Sequence, residues 1–150
     1  MTGPVIALAS DHAGYELKHY LLGVLEADGR QTLDLGTNGE ESVDYPDFAE
    51  RLALSLQRGE ASRGVLVCGT GLGISIAANR HPWIRAAPCQ DVTAARLARG
   101  HNDANVLALG ARLVGRTTAL DVLNAFLETP FEGGDRHARR IAKMSGERVT

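Results

Sequence analysis

The chain has 150 residues, of which 44% are hydrophobic and 23% are charged, and its formal net charge is −2. This length fits one domain with a single core, and the composition is typical of a globular protein. The 16 basic and 18 acidic residues nearly balance, which argues against a nucleic-acid or membrane surface built on bulk charge. We therefore expect one domain spanning residues 1–150, with no nucleic-acid partner and no membrane association.

The cysteine content and the amino-terminal segment indicate the compartment. Cys68 and Cys89 are too few for a disulfide scaffold, and no closely spaced pair of cysteines or histidines predicts a metal site. Asp11 and His12 interrupt the first apolar run early, and no basic segment precedes that run, which is unlike a secretory signal. We expect a cytoplasmic protein.

Short apolar runs alternate with helical patterns along the chain, which predicts βα units around a parallel sheet. The apolar runs predict five strands, at residues 5–9, 31–35, 64–68, 84–88 and 104–109. Helical spacing of apolar residues predicts helices at residues 14–27, 47–57, 73–79, 92–99, 117–127 and 134–145. The predicted fold class is α/β, a three-layer α/β/α sandwich with a five-stranded parallel, Rossmann-like sheet.

Polar residues with useful chemistry lie beside three of the predicted strands. Asp11 and His12 follow the first strand, where ligands bind in such sheets, and His101-Asn102-Asp103 lies in the loop predicted before the fifth. Asp11 as a helix N-cap and residues 101–103 as a plain turn are the structural alternatives. Because histidine titrates near neutral pH, we favour ligand or acid-base roles for both segments.

The third predicted strand ends at Cys68 and continues into a glycine-rich loop, Gly69-Thr70-Gly71-Leu72-Gly73, before an apolar helix. Glycine allows close approach of the main chain to a ligand, and a helix N-terminus favours negative charge. The loop can therefore hold an oxyanion or a phosphate, and it favours a thiolate at Cys68 that serves as base or nucleophile. A buried structural cysteine beside a tight turn is the alternative.

Spacing excludes three familiar interpretations of this loop. A Cys-x5-Arg phosphatase loop requires arginine at position 74, where Ile74 stands, and a Walker loop requires lysine. A dinucleotide fingerprint requires G-x-G-x-x-G, whereas the loop reads G-x-G-x-G.

In the last predicted helix, Arg136 and Arg140 lie four residues apart on one face, where they either clamp a phosphate or form a solvated basic surface.

Five motifs occur in order from residue 5 to about residue 145: Ser-Asp-His-Ala-Gly at 10–14, Asp-Tyr-Pro at 44–46, Cys-Gly-Thr-Gly-Leu-Gly-Ile-Ser at 68–75, His-Asn-Asp-Ala-Asn-Val at 101–106 and Glu-Gly-Gly at 132–134. Together they resemble the type B ribose-5-phosphate isomerases of the ribose/galactose isomerase family. The resemblance implies interconversion of ribose 5-phosphate and ribulose 5-phosphate through a cis-enediolate, as in the pentose phosphate pathway. It also implies that no metal and no cofactor take part.

The same resemblance implies a role for each motif. Cys68 is the base that moves a proton between C2 and C1, with Thr70 beside it. Backbone NH groups from Gly69 to Gly73, which include those of Thr70, Gly71 and Leu72, hold the enediolate oxygen. His101, with help from Asp11, opens the sugar ring, and Asn102 donates a hydrogen bond to the substrate.

The family's phosphate ligands correspond to His12, Arg112, Arg136 and Arg140. In the family the site lies between two subunits, so residues 101–102 and the carboxyl-terminal helix, about 134–145, reach the Cys68 loop of a neighbour. The resemblance thus implies a homodimer or tetramer with shared sites. Asp135 adds one residue to the commoner spacing between Glu-Gly-Gly and the first arginine.

The motifs are also compatible with other phosphosugar substrates and with a non-catalytic role. Relatives act on galactose 6-phosphate, allose 6-phosphate or tetrulose 4-phosphates with the same loop, and four-carbon enzymes keep most of the motifs. The His101-Asn102-Asp103 tripeptide favours the ribose type. A non-catalytic phosphosugar-binding module is the remaining alternative, against which the Cys68 thiol argues. A subgroup of the family uses a loop glutamate as base, but Cys68 together with Ile74 matches the cysteine version.

Overall fold

Five parallel strands form the sheet of the computed structural model, which describes residues 3–146. They are β1 (Ile6–Ser10), β2 (Thr32–Asp34), β3 (Arg63–Cys68), β4 (Ala86–Pro88) and β5 (Val106–Gly110). Their order across the sheet is β2-β1-β3-β5-β4. Strand β3 is therefore central, and the carboxyl ends of β1 and β5 flank its own.

Helices cover both faces of this sheet. They are α1 (Tyr15–Ala27), α2 (Tyr45–Gln57), α3 (Leu72–Ala78), α4 (Val92–Asn102), α5 (Arg116–Glu128) and α6 (Asp135–Met144). One core cluster joins α1, α4 and α5 to the sheet, and a second joins α2 and α3 to the opposite face. The predicted three-layer α/β/α sandwich is confirmed. Within residues 3–146, none of the helices combines the length and apolar character that a membrane span requires.

The alternation of side chains along β3 divides the core and sets the direction of the cysteine. Val65 and Val67 belong to the cluster under α1, α4 and α5, whereas Leu66 and Cys68 belong to the cluster under α2 and α3. Side chains point alternately to the two faces of a strand, so a strand with helices on both faces is apolar throughout. The Cys68 side chain thus faces the layer that contains α3.

The predicted end of the fourth helix was wrong. Helix α4 does not end at residue 99 but continues to Asn102, so His101 and Asn102 lie in its last turn instead of in a loop. The Arg99 guanidinium explains the extension, since its Nη1 donates to the Asp103 carboxylate at 2.8 Å and to the Ala104 carbonyl at 2.7 Å. Asp103 then ends the helix with φ of 45°, in the left-handed region.

The fourth and fifth strands are also displaced from their predicted bounds, because β4 begins at Ala86 and β5 at Val106. The cause is the Asn105 side chain, which accepts a hydrogen bond from the Arg85 NH and donates one to the Trp83 carbonyl, both at 2.8 Å. These side-chain bonds accompany the backbone bonds that the Arg85 carbonyl accepts from the Asn105 and Val106 NH groups at 3.1 and 3.3 Å.

Gly14 allows the start of α1 to pack against the end of β3. A Cβ atom at Gly14 would lie 2.3 Å from the Val67 carbonyl oxygen, whereas a Cβ at Gly23, also in this region of the chain, meets no described atom within 4 Å. We expect Gly14→Ala to lower the free energy of unfolding by about 1–3 kcal/mol. Gly23→Ala should raise it by about 0.5–1 kcal/mol, because alanine is the better helix former. Urea unfolding at one protein concentration measures both, and equal effects would contradict the close approach.

Candidate active site

Cys68 is the last residue of β3 and is buried, with 4% of its surface exposed. Its Sγ accepts a hydrogen bond from the backbone NH of Gly71 at 3.1 Å. Gly71 has φ of 77°, which favours glycine, and it is the N-cap residue of α3. The turn therefore directs an NH donor at the sulfur.

The rest of the glycine-rich loop is fitted between neighbouring elements. Thr70 Oγ1 accepts a hydrogen bond from the Leu72 NH at 3.2 Å, which leaves the hydroxyl hydrogen to donate elsewhere. A Cβ at Gly110 would lie 2.6 Å from the Thr70 carbonyl, and a Cβ at Gly73 would lie 2.6 Å from the Tyr45 ring. Glycine at 110 is thus required for the loop to cross the end of β5, whereas a side chain at 73 would displace the exposed Tyr45 ring of α2.

Asp11 and Arg112 reach this loop from the strands on either side of β3. Asp11 is buried, its NH donates to the Val67 carbonyl at 3.2 Å, and its Oδ1 accepts from the Gly14 NH at 3.0 Å. Asp11 therefore binds the N-cap residue of α1 and is not the N-cap itself. The Arg112 NH donates to the Gly69 carbonyl at 2.9 Å, and a Cβ at Gly69 would lie 3.5 Å from the Arg112 guanidinium carbon.

His12 is oriented by a loop that follows β2. Its Nδ1 accepts a hydrogen bond from the Val43 NH at 3.1 Å, so a neutral ring carries its proton on Nε2 and can donate it to a ligand. Lys18 fixes the start of this loop, because its buried Nζ donates to Asp34 at 2.6 Å and to the Thr37 carbonyl at 2.9 Å. The orientation of His12 thus depends on an ion pair beneath the site.

The segment 101–102 lies at the other edge of the sheet, before the amino end of β5. Val106 at that end pairs with Gly64, whereas Gly110 at the opposite end pairs with Cys68. A strand rises by about 3.3 Å per residue, so about 13 Å separates these two pairs along the sheet. Within one chain, residues 101–102 and Cys68 therefore belong to opposite edges.

His101 forms a cluster with two residues near the carboxyl terminus. Its ring stacks on that of His137, with centroids 4.6 Å apart and planes inclined by 15°. Glu132 Oε2 lies 3.7 Å from His101 Nε2 and 3.6 Å from His137 Nε2. Burial, the Arg136 guanidinium and His101 lower the pKa of His137, which favours its neutral form.

The carboxyl-terminal arginines share the edge occupied by His101. Arg136 and Arg140 are exposed on α6. The chain entering α6 is held against the end of α4 by the Glu132 NH, which donates to the Gly100 carbonyl at 3.0 Å. These two guanidinium groups are thus placed near residues 101–102 and on the edge opposite Cys68.

The predicted site residues therefore form two groups. We call one the carboxyl half-site, at the carboxyl ends of β1, β3 and β5, and it comprises Asp11, His12, Cys68, residues 69–73 and Arg112. We call the other the amino half-site, and it comprises His101, Asn102, Arg136 and Arg140. A single chain brings together the members of each half-site but not the two half-sites.

A family model described as Ribose/Galactose Isomerase matches residues 6–144. The chain belongs to this family. The match extends from β1 to the end of α6 and contains all five motifs on which the resemblance was based. The assignment made from those motifs is confirmed.

Named relatives agree with the family assignment. Ribose-5-phosphate isomerase B of Escherichia coli (strain K12) is 46% identical over 140 residues, which cover 93% of each chain. A solved structure of a ribose-5-phosphate isomerase from Thermotoga maritima has a TM-score of 0.94 at 51% identity and covers 97% of this chain and 99% of that one. The Clostridium thermocellum ribose-5-phosphate isomerase B has a TM-score of 0.93 at 51% identity, with 95% of each chain covered. The predicted enzyme class, sugar-phosphate isomerase, is the class of these family members.

The sequence interpretation missed several residues that the structure places in the half-sites. Glu132 was predicted only as part of the Glu-Gly-Gly motif, and no role was predicted for His137, which lies between two arginines in the sequence. His137 is the buried residue of α6, which its helical phase relative to α4 could have indicated. The contact of Tyr45 with Gly73 and the bond from Lys18 to the Thr37 carbonyl carried no signal, because both join segments far apart in sequence.

Proposed function

We propose that this chain is a ribose-5-phosphate isomerase of type B, which interconverts ribose 5-phosphate and ribulose 5-phosphate in the cytoplasm without metal or cofactor. The observation that carries the proposal is the Cys68 thiol at the carboxyl end of the central strand, with the Gly71 NH 3.1 Å from its Sγ. Family membership and the names of the relatives support the same substrate.

Cys68 acts as the base in the proposed mechanism. Its thiolate removes the proton from C2 of the open-chain aldose, which leaves a cis-enediolate. The hydroxyl proton on O2 passes to O1, and the resulting thiol returns a proton to C1 to give the ketose. The Gly71 hydrogen bond supports this role because it holds the sulfur at the end of the central strand, beside the glycine-rich loop. One group thus serves both proton transfers on the same face of the substrate.

The glycine-rich loop stabilises the enediolate oxygen in this proposal. Backbone NH donors directed at developing charge are commonly the largest catalytic contribution. The Gly71 NH is directed at Sγ and the Leu72 NH at Thr70 Oγ1. We therefore assign the enediolate oxygen to the other loop amides and to the Thr70 hydroxyl hydrogen, with Leu72 available once Thr70 turns to the substrate.

Ring opening and phosphate binding draw on both half-sites. His101 and Asp11 serve as acid and base on the ring oxygen and the anomeric hydroxyl, and Asn102 donates to a substrate hydroxyl. His12 donates through Nε2 to the phosphate, since its Nδ1 is occupied by Val43. Arg112, Arg136 and Arg140 supply guanidinium groups for the same phosphate, and each can bind two of its oxygens.

We propose that two copies of the chain complete each site, so that the amino half-site of one copy closes the carboxyl half-site of the other. The separation of the half-sites within one chain supports this arrangement. Large apolar side chains are exposed beside both: Leu72 at 50% and Ile76 at 65% next to the Cys68 loop, and Leu97 at 48% on α4. A homodimer, or a tetramer of such dimers, would cover them.

An assay of the purified protein with phosphosugars of different length tests the substrate. We expect turnover of ribose 5-phosphate to exceed that of allose 6-phosphate, galactose 6-phosphate and a tetrulose 4-phosphate, and to be unchanged by a chelator. A preference for the tetrulose phosphate would assign the same chemistry to a four-carbon substrate. Binding of all four sugars without turnover of any would indicate a binding module and reject the isomerase assignment.

A further inference from the structure

His101, Glu132 and His137 offer three ligand atoms on one side of the amino half-site, and these atoms all lie within 4.8 Å of one another. We propose that these three residues bind a divalent transition-metal ion such as Zn²⁺, and that the bound ion inhibits isomerisation because it captures the His101 imidazole. The inhibition rests on the proposed function, whereas the metal binding does not.

The ligand set and its spacing are close to those that zinc requires. Two imidazole nitrogens and one carboxylate oxygen are a common three-residue zinc set that keeps a fourth position open. Bonds of about 2.0–2.1 Å in tetrahedral geometry place ligand atoms about 3.3 Å apart. Glu132 Oε2 lies 3.7 Å from His101 Nε2 and 3.6 Å from His137 Nε2, so shifts of a few tenths of an ångström bring the carboxylate into place.

The two imidazoles need a larger adjustment, which their surroundings allow. Their rings are stacked, so at least one ring has to tilt for both Nε2 atoms to point at one ion. The side chains of His101 and Glu132 are 41% and 60% exposed, whereas that of His137 is 10% exposed. His137 is thus a fixed ligand, and the other two are free to turn towards an ion that enters from solvent.

The backbone around the cluster holds its three parts together and leaves room for the carboxylate. The Glu132 NH donates to the Gly100 carbonyl at 3.0 Å, which ties the loop before α6 to the turn that carries His101. A Cβ at Gly100 would lie 3.3 Å from Glu132 Oε1, so a larger residue there would crowd the carboxylate. The cluster is therefore set by the fold and does not depend on one flexible side chain.

Arg136 lies beside the His137 nitrogen that would bind the ion. Its Nη2 lies 3.4 Å from His137 Nε2, and a guanidinium only donates, so it pairs with the neutral tautomer of His137 that has a lone pair on Nε2. That lone pair is what a metal ion needs. The exposed guanidinium has to turn away when an ion binds, and its charge weakens the site.

The test is a titration of the metal-free intact protein with Co²⁺, followed by visible absorption, together with displacement by Zn²⁺. We expect one ion per chain, with affinity at least 10-fold lower in Glu132→Gln and in His137→Gln. His81→Gln is the matched control, because His81 also contacts a carboxylate, Glu50 at 2.8 Å, but has no third ligand within residues 3–146. His81→Gln and Cys68→Ala should bind Co²⁺ as the wild type does.

Inhibition is measured on the same samples. Zn²⁺ should inhibit wild-type turnover over the concentration range in which it displaces Co²⁺, and a chelator should restore the rate. Each variant is compared with its own metal-free rate. Glu132→Gln should need a Zn²⁺ concentration at least 10-fold higher than the wild type does for the same fractional inhibition. Binding that is absent, or unaffected by Glu132→Gln and His137→Gln, would overturn the site, and binding without inhibition would overturn the capture of His101. A metal-free wild type without turnover would reject the proposed function and leave the binding result intact.

Discussion

Replacing Cys68 by alanine is expected to lower kcat for ribose 5-phosphate by about 10²–10⁴-fold, the usual contribution of a general base. The loss should fall on kcat more than on KM, because the phosphate and hydroxyl ligands do not involve the sulfur. Steady-state assays in both directions measure the effect, and binding of substrate to the variant is measured by calorimetry. Wild-type turnover in Cys68→Ala would remove the assigned base.

Cys89 provides the matched control for this substitution. It is the other cysteine of the chain, and it is equally buried, with 3% exposed. Burial and the neighbouring Asp91 carboxylate raise the pKa of the Cys89 thiol to about 11, so it is protonated at neutral pH and cannot act as a base. Cys89→Ala should therefore keep the wild-type kcat, and a large loss in that variant would attribute the effect of either substitution to packing.

The fold and the carboxyl half-site could be predicted because the responsible signals are local. Apolar runs and helical spacing predicted every strand and helix, and Cys68 followed by three alternating glycines lies where a central parallel strand ends. The glycines at 71 and 73 have separate structural reasons, a positive φ and the contact with Tyr45. Such requirements leave a trace in sequence even before the partner atoms are known.

The amino half-site was harder to predict because its geometry depends on contacts between distant segments. The end of α4 is set by the Arg99 guanidinium, which reaches Asp103, Ala104 and the Thr129 carbonyl. No local pattern shows that a side chain will extend a helix by three residues. The cluster of His101 with Glu132 and His137 likewise exists only once α6 packs on α4.

His101 and Cys68 of one chain lie at opposite edges of the sheet, so mixing two variants can test whether each active site is shared between two chains. Consider a mixed dimer with one Cys68→Ala chain and one His101→Asn chain. If each active site takes its two half-sites from different chains, this dimer contains one site with both substitutions and one site with neither. Two inactive proteins should then regain activity when their subunits exchange. With random exchange about half of the dimers are mixed, so activity should reach about a quarter of the wild-type value.

A second pair of variants separates shared sites from general rescue by mixing. Arg112 belongs to the same half-site as Cys68, so a dimer of Cys68→Ala with Arg112→Met has a defect in each of its sites. This pair forms mixed dimers equally well, but its activity should stay at the mean of the two separate variants, because every site carries one of the two substitutions. Subunit exchange is verified by co-purification through a tag on one variant, and activity is measured on the whole exchanged mixture, to which the expected quarter applies. Restoration by the His101 pair alone requires that the base and the ring-opening histidine come from different chains, whereas equal behaviour of the two pairs would return both residues to one chain and contradict the shared site.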